Sequence, residues 1–202
     1  EFLDAPGEWF LDRREGRVYY APLPEDKLAG IEAIAPVIQQ VMRFEGAPES
    51  GRYVEDVTIR GITLSHSEWK IPSDAHAAQD AAMTWPAPVN EVGGFGQAAV
   101  GVPGAIFGDG VRNCRFDDCA FAHLGSYGLE LGRGCQSNVI TRCEFADLAG
   151  GGIKIGETKI RENVAERTHH NEIVDCKLLE GGRMYHSAVG VWIGHSGTNR
   201  LT

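Results

Sequence analysis

Four short segments of the chain repeat one pattern of glycine, apolar, variable, apolar, glycine: Gly104-Ala105-Ile106-Phe107-Gly108, Gly128-Leu129-Glu130-Leu131-Gly132, Gly152-Ile153-Lys154-Ile155-Gly156 and Gly190-Val191-Trp192-Ile193-Gly194. The first three closing glycines lie 24 residues apart, and the fourth follows after 38, one period plus 14 inserted residues. A second repeat keeps the same register: residues 114–121, 138–145 and 171–178 align, with an earlier copy at 57–64 and a new one starting at 199. Self-similarity at this period is the mark of a solenoid, in which each repeat buries its apolar face only by stacking on the next. Five rungs are expected.

Period-two alternation turns Leu129 and Leu131 inward and Glu130 outward, so each rung donates short strands rather than helices. Turns of about 24 residues carrying two or three strands, each stacked in parallel on its copy, predict an all-β fold: a right-handed parallel β-helix. Asn138, Asn171 and Asn199 recur at one corner, where asparagine tolerates left-handed backbone and bonds its own turn. Residues 1–46 fall outside the period. There, Glu8-Trp9-Phe10-Leu11-Asp12 and Arg17-Val18-Tyr19-Tyr20-Ala21 flank a glycine-bearing turn and predict an N-terminal β-hairpin, followed by a lead-in strand near 41–46. Residues 47–202 form the rungs, with insertions near 66–98, 157–170 and 180–186. The first carries Glu68, Trp69, His76, Asp80 and Trp85. Long insertions on a repeat body tend to build its binding face.

The chain of 202 residues is 43% hydrophobic and 23% charged, enough for one folded body. Nineteen basic against 28 acidic residues, for a net charge of −9, leave no basic stripe to follow a phosphate backbone, so nucleic acid is not an expected partner. No run reaches the ~18 apolar residues of a membrane span. Five cysteines cannot form a complete disulfide framework; Cys119, Cys143 and Cys176 share one repeat column as core filling, with a rung-to-rung bridge as the alternative. No cysteine or histidine spacing marks a metal cage, and none is expected. The abrupt first residues and a last residue inside a repeat lead us to expect a truncated segment, whose partners include the remaining rungs of a parent chain.

The residues 6–12 and 16–20, then Gln97-Ala98-Ala99-Val100 with Pro103-Gly104-Ala105-Ile106, then Gly190-Val191-Trp192-Ile193-Gly194-His195-Ser196, resemble bacterial right-handed parallel β-helix proteins similar to glycoside hydrolase family 141. The resemblance runs over nearly the whole chain, whereas the repeat alone suits pectate lyases, polygalacturonases and adhesins equally. It implies secreted or periplasmic enzymes acting on plant or algal polysaccharides, with fucosidase and xylanase among the activities. It also implies further rungs after the Gly-Val-Trp-Ile-Gly-His motif, which would carry part of the active site.

Glycoside hydrolysis requires two carboxyl groups, ~5–5.5 Å apart for retention or ~6.5–9.5 Å for inversion. Rungs ~4.8 Å apart bring outward carboxylates of neighbouring turns into that range. Three outward columns are candidates: Ile106, Glu130, Lys154 and Trp192 at the strand centre; Asp109, Arg133, Glu157 and His195 after the closing glycine; and His66, His123, Asp147 and Glu180 before the strand. The first two columns are expected to form the cleft. Glu130, Glu157 and Asp147 are the candidate catalytic carboxylates, and Lys154, Arg133, Trp192, His195 and His123 the candidate substrate contacts. Each has a plainer role as well. Glu130 beside Lys154 suits a cross-strand ion pair, Asp147 a turn bond, and Trp192 burial under a loop. A polysaccharide lyase using Lys154 or Arg133 as base, with calcium as cofactor, and a non-catalytic glycan-binding solenoid are the alternative functions.

Overall fold

The computed structural model describes residues 3–70 and 99–202. The larger part of the 66–98 insertion, with His76, Asp80 and Trp85, lies outside them. Two units are distinguished, Glu1–Ala35 and Pro36–Thr202. In the first, β1 (Trp9–Asp12) and β2 (Arg17–Tyr20) form the expected antiparallel hairpin, with Trp9 opposite Tyr20. Its turn is held by Asp12, whose Oδ1 accepts from the amides of Arg14 at 2.8 Å and Glu15 at 3.1 Å.

The second unit is a parallel β-helix. Its strands are β3 (Met42–Glu45), β4 (Val54–Glu55), β5 (Thr58–Arg60), β6 (Thr63–Ser67), β7 (Gly104–Asp109), β8 (Val111–Arg112), β9 (Arg115–Asp117), β10 (Ala120–Leu124), β11 (Tyr127–Leu131), β12 (Val139–Thr141), β13 (Glu144–Leu148), β14 (Ile153–Gly156), β15 (Glu172–Val174), β16 (Lys177–Leu179), β17 (Val191–Gly194) and β18 (Arg200–Leu201). They stack into sheets ordered β17-β14-β11-β7-β3, β18-β15-β12-β9-β5 and β16-β13-β10-β6, with the short pair β4-β8. The lead-in strand β3 is thus the first strand of the coil, paired with β7. Among the described residues the only helical turns are 3-10, at Pro48–Ser50 and Val164–Glu166.

The interior is built from columns of like residues. Ile59, Phe116, Ile140, Ile173 and Leu201 form one, and Phe121 stacks on Phe145 with ring centroids 4.3 Å apart. Phe116, Phe121, Ile140, Phe145 and Ile153 are essentially inaccessible, and full burial of each such side chain contributes about 1.5–3 kcal/mol. All five cysteines are free thiols, and Cys119, Cys143 and Cys176 point into the core.

Corners use left-handed backbone, one residue per rung. Asp56, Asn113, Ser137, His170 and Thr198 have positive φ at one corner, Gly61, Asp118, Arg142 and Asp175 at the next, and His66, His123, Asp147 and Glu180 at the third. The asparagine column therefore works differently from expectation, because the left-handed residue is the one before each asparagine. Asn138 and Asn171 are fully buried, and the Asn138 Nδ2 donates to the Asn171 Oδ1 at 2.9 Å. Asn171 Oδ1 also accepts from the Asn138 amide at 3.1 Å, and Asn138 Oδ1 from the Cys114 amide at 3.0 Å. A side-chain amide offers both donors and acceptors, so it extends the sheet hydrogen bonding through a corner where the backbone turns away.

One strand differs in register. Phe107, not Ile106, pairs with Glu130, and the outward column reads Arg43, Phe107, Glu130, Lys154, Trp192. Ile106 instead faces the core. This arrangement buries the β-branched side chain and leaves the Phe107 ring under the Arg43 guanidinium, 5.2 Å from its centroid. Gly108 takes the inward place beyond it, where a Cβ would stand 2.9 Å from Val111 Cγ2, and the chain turns at Gly110.

Candidate functional site

The outward columns expected to line the cleft are largely occupied by the protein itself. Glu130 and Lys154 lie side by side on β11 and β14, but residues 99–103 return across them. Lys154 is 4% exposed. Its ammonium donates to the carbonyls of Val100 at 2.9 Å and Val102 at 3.1 Å and to Glu130 Oε1 at 3.2 Å, using all three of its protons. Glu130 Oε2 accepts from the Gly104 amide at 2.8 Å. Ala99, Val102, Tyr127, Ala149 and Tyr185 form a second apolar cluster, with Trp69 and Ala188 against it. Burial raises the Tyr127 hydroxyl pKa, and that hydroxyl accepts from the Val189 amide at 3.1 Å. Trp192 is half-buried, 5.8 Å from the Lys154 ammonium. The open face expected at Glu130 and Lys154 is therefore corrected to an internal seam that clamps residues 99–103, next after the first insertion, with the half-buried Trp192 beside it.

Arg133 and Glu157 serve the second insertion. Arg133 donates to both oxygens of Asp109 at 3.0 Å and to Glu166 at 3.0 Å, with Glu49 at 3.1 Å. The Asp109 hydrogen bonds raise the Arg133 pKa further above its ordinary value. Glu157 holds Arg161 through two bonds, at 2.7 and 2.6 Å, and the carboxylate raises the Arg161 pKa. Tyr53 adds a bond from its hydroxyl to the Ala165 carbonyl at 2.9 Å. These ion pairs tie residues 157–167 to the early rungs. His195, next to Glu157 across the rung, is exposed at positive φ.

The third column is different, because its side chains reach solvent. His66, His123, Asp147 and Glu180 occupy equivalent corner positions on four successive rungs, each with left-handed backbone. A non-glycine residue there costs about 1–2 kcal/mol, so four in a row mark a strained, well-determined edge. The imidazoles of His66 and His123 stack at 5.1 Å with planes 13° apart. His123 Nδ1 donates to Asp147 Oδ2 at 2.7 Å. Arg183, from the third insertion, bonds Asp147 Oδ1 at 3.2 Å and Glu180 Oε2 at 3.4 Å. Side-chain exposure of 55% for His123 and 39% for Asp147 leaves the pair accessible.

Both neighbouring insertions flank this edge. Ser67, Glu68 and Trp69 follow His66, and Trp69 packs edge-on against Tyr185 at 5.2 Å, with the Tyr185 hydroxyl donating to the Trp69 carbonyl at 3.2 Å. Gly125 permits that approach: a Cβ there would meet the Trp69 amide at 2.7 Å. A cavity of about 130 Å³ is lined by Leu148, Leu179 and Gly181, the chain neighbours of Asp147 and Glu180, together with Phe145, Leu178 and Val189. Among the described residues no group of three or more histidine, cysteine, aspartate or glutamate side chains is arranged to hold a metal ion, and no helix is long and apolar enough to cross a membrane.

Of the eight residues singled out in the sequence, the structure thus joins His123 with Asp147 and Glu130 with Lys154 and Trp192, while Arg133 and Glu157 stand in ion pairs of their own and His195 is the exposed neighbour of Glu157 on the next rung. His66 and Glu180 complete the exposed column. Arg183 had no periodic signal, since it lies in an insertion; its position three residues after Glu180 is the one local hint.

Residues 49–202 match the family model for the right handed beta helix region. The chain belongs to this right-handed β-helix family. A solved structure of a glycoside hydrolase is similar over 98% of this chain, with a TM-score of 0.78 and 24% sequence identity. The chain spans 37% of that protein's length, and the likeness bears on the fold. No curated protein matches the chain.

Proposed function

We propose that this β-helix is carbohydrate-active and, as part of a secreted or periplasmic enzyme, cleaves glycosidic bonds in a complex polysaccharide along the His66–His123–Asp147–Glu180 edge. The observation that carries the proposal is an accessible ladder of titratable side chains, one per rung, between two insertions. Asp147 supplies a carboxylate, held in orientation by His123 and Arg183, that acts as nucleophile or base. Glu180, one rung away, supplies the second carboxyl. A one-rung separation of ~4.8 Å between backbones is close to the ~5–5.5 Å of a retaining pair, so retention is the expected outcome. The stacked imidazoles of His66 and His123 offer hydrogen bonds to sugar hydroxyls along the same line.

Lyase chemistry has less support, because the two proposed bases are committed: Lys154 to two carbonyls and a carboxylate, Arg133 to three carboxylates. The experiment is a reducing-sugar assay on a panel of plant and algal polysaccharides, read together with ultraviolet absorbance. Release of reducing ends without absorbance, lost about 100-fold or more in Asp147→Asn at unchanged melting temperature, is expected. Absorbance growing with product would establish a lyase. Glycan binding without turnover would leave a binding solenoid.

A further inference from the structure

The outer face of β5, β9 and β12 gathers positive charge in a chain whose net charge is −9. Arg60 on β5, Arg115 on β9 and Arg142 just after β12 come from three successive rungs and surround one carboxylate, that of Asp117. Nε of Arg60 stands 3.6 Å and Nε of Arg115 3.8 Å from Asp117 Oδ2, and the Arg142 guanidinium donates to Oδ1. The Asp117 side chain is 10% exposed beneath them, whereas those of Arg60, Arg115 and Arg142 are 68%, 41% and 50% exposed, so the cations meet solvent and the anion does not.

One carboxylate cannot satisfy three guanidiniums. At 3.6 and 3.8 Å Arg60 and Arg115 are attracted to Asp117 without hydrogen-bonding it, and among the described residues their side chains donate to no other group. Each presents a planar fork of N–H donors that matches an anion with two oxygens. The other outward positions on these strands are Thr58, Val139 and Thr141, none of them acidic. Even with Asp118, exposed at the adjoining corner, positive charge stays in excess. Arg142 also lines a groove of about 470 Å³ between this sheet and the β6-β10-β13 sheet, with Gly61, Asp118 and Ala120 at one end and Lys177, 3.9 Å from Glu144, at the other. From that groove the outward face of β6, β10 and β13 carries only small side chains at Ser65, Ala122 and Ala146, and it ends at Asp147. Residues 142–147 cover roughly 16 Å of extended chain.

We propose that Arg60, Arg115 and Arg142 bind an oxyanion group of a glycan, a sulfate ester or a uronate carboxylate, on a chain that lies in this groove. An oxyanion seated between Arg60 and Arg115 takes up the donors that Asp117 leaves unfilled, in charge-assisted bonds roughly twice as strong as neutral ones. Resting on the carbohydrate-active function proposed above, this site is a distal subsite for the chain cleaved at Asp147, reached along the small-residue face between the two corners.

Affinity electrophoresis of the full chain through gels containing a sulfated galactan, polygalacturonate or neutral dextran measures binding without turnover. A chain of net charge −9 is repelled by a polyanion, so retardation reports a local site rather than overall charge. Retardation is expected in one or both anionic gels and not in dextran; the sulfated gel alone identifies a sulfate ester, and polygalacturonate alone a carboxylate. It should weaken as salt rises, because the three cations are exposed. Arg60→Gln with Arg115→Gln leaves Arg142 to pair Asp117 and should raise the dissociation constant by about tenfold or more. Arg13→Gln with Arg17→Gln removes the same charge from the N-terminal hairpin and should leave binding unchanged. Asp147→Asn should also retain the retardation, so loss of cleavage and loss of this site are read separately. Free migration in both anionic gels, equal retardation in dextran, or retardation that survives the loss of Arg60 and Arg115 would overturn the proposal, and the wild-type gels decide even where the double variant is less stable.

Discussion

Replacing Lys154 by methionine separates a structural role for the inner seam from a role on an open surface. Methionine keeps the apolar stem and removes the charge. Three bonds go with it: those to Val100 at 2.9 Å, Val102 at 3.1 Å and Glu130 at 3.2 Å. The carboxylate of Glu130, 14% exposed, would keep only the Gly104 amide as partner. Removing one member of a buried pair costs about 3–5 kcal/mol, because the remaining charge stays desolvated, whereas an exposed pair is worth about 0–1 kcal/mol. For a chain of this size the expected fall in melting temperature is roughly 6–20 °C. Changing Glu130 to leucine as well removes the stranded charge, so the double variant should be less destabilised than the two single losses add up to. Urea unfolding followed by circular dichroism and by tryptophan fluorescence measures each step. A loss below about 1 kcal/mol for Lys154→Met would refute the claim that residues 99–103 are clamped over this sheet.

Two further predictions concern the interior. Asn171→Ala removes a fully buried side-chain amide that links Asn138, Asn199, Cys135 and His169, and should cost about 2–4 kcal/mol in urea unfolding. An alanine neutral to within about 0.5 kcal/mol would show that the ladder is decorative. Burial pushes the Cys135 thiol up to about 12, so the folded state keeps its proton while an unfolded chain loses it near its ordinary value of 9.0. The folded state then holds more protons between those values. Stability contributed by Cys135 is full below about pH 9 and is lost as the pH rises towards 12, a decline that Cys135→Ser should flatten in pH-dependent unfolding.

The coil was legible because its determinants are local and repeated. Glycine-bracketed alternation at Leu129, Leu131, Ile153 and Ile155 sets inward and outward faces, and the 24-residue spacing sets the stacking. Register failed at β7, where Gly108 and Gly110 both offer a corner and only the packing of Ile106 inside chooses between them. Polarity misled at Glu130 and Lys154. Period-two alternation shows that a side chain points away from the coil axis, but not that a loop from fifty residues earlier in the chain comes back to cover it. The asparagine column was visible, yet its work is side-chain pairing, which depends on the neighbouring rung. The third corner was legible as a column because His66, His123, Asp147 and Glu180 keep the period; Arg183, which joins two of them, does not.

The proposed working edge lies at the third corner, whereas Glu130 lies in the seam with Lys154 and residues 99–103. Turnover on one responsive polysaccharide, measured for Asp147→Asn and Glu130→Gln at a temperature where both variants are fully folded, tests this most directly. The account predicts about a 100-fold loss or more for Asp147→Asn and a rate within a few-fold of the parent for Glu130→Gln. Loss of turnover in Glu130→Gln with full activity in Asp147→Asn would contradict it.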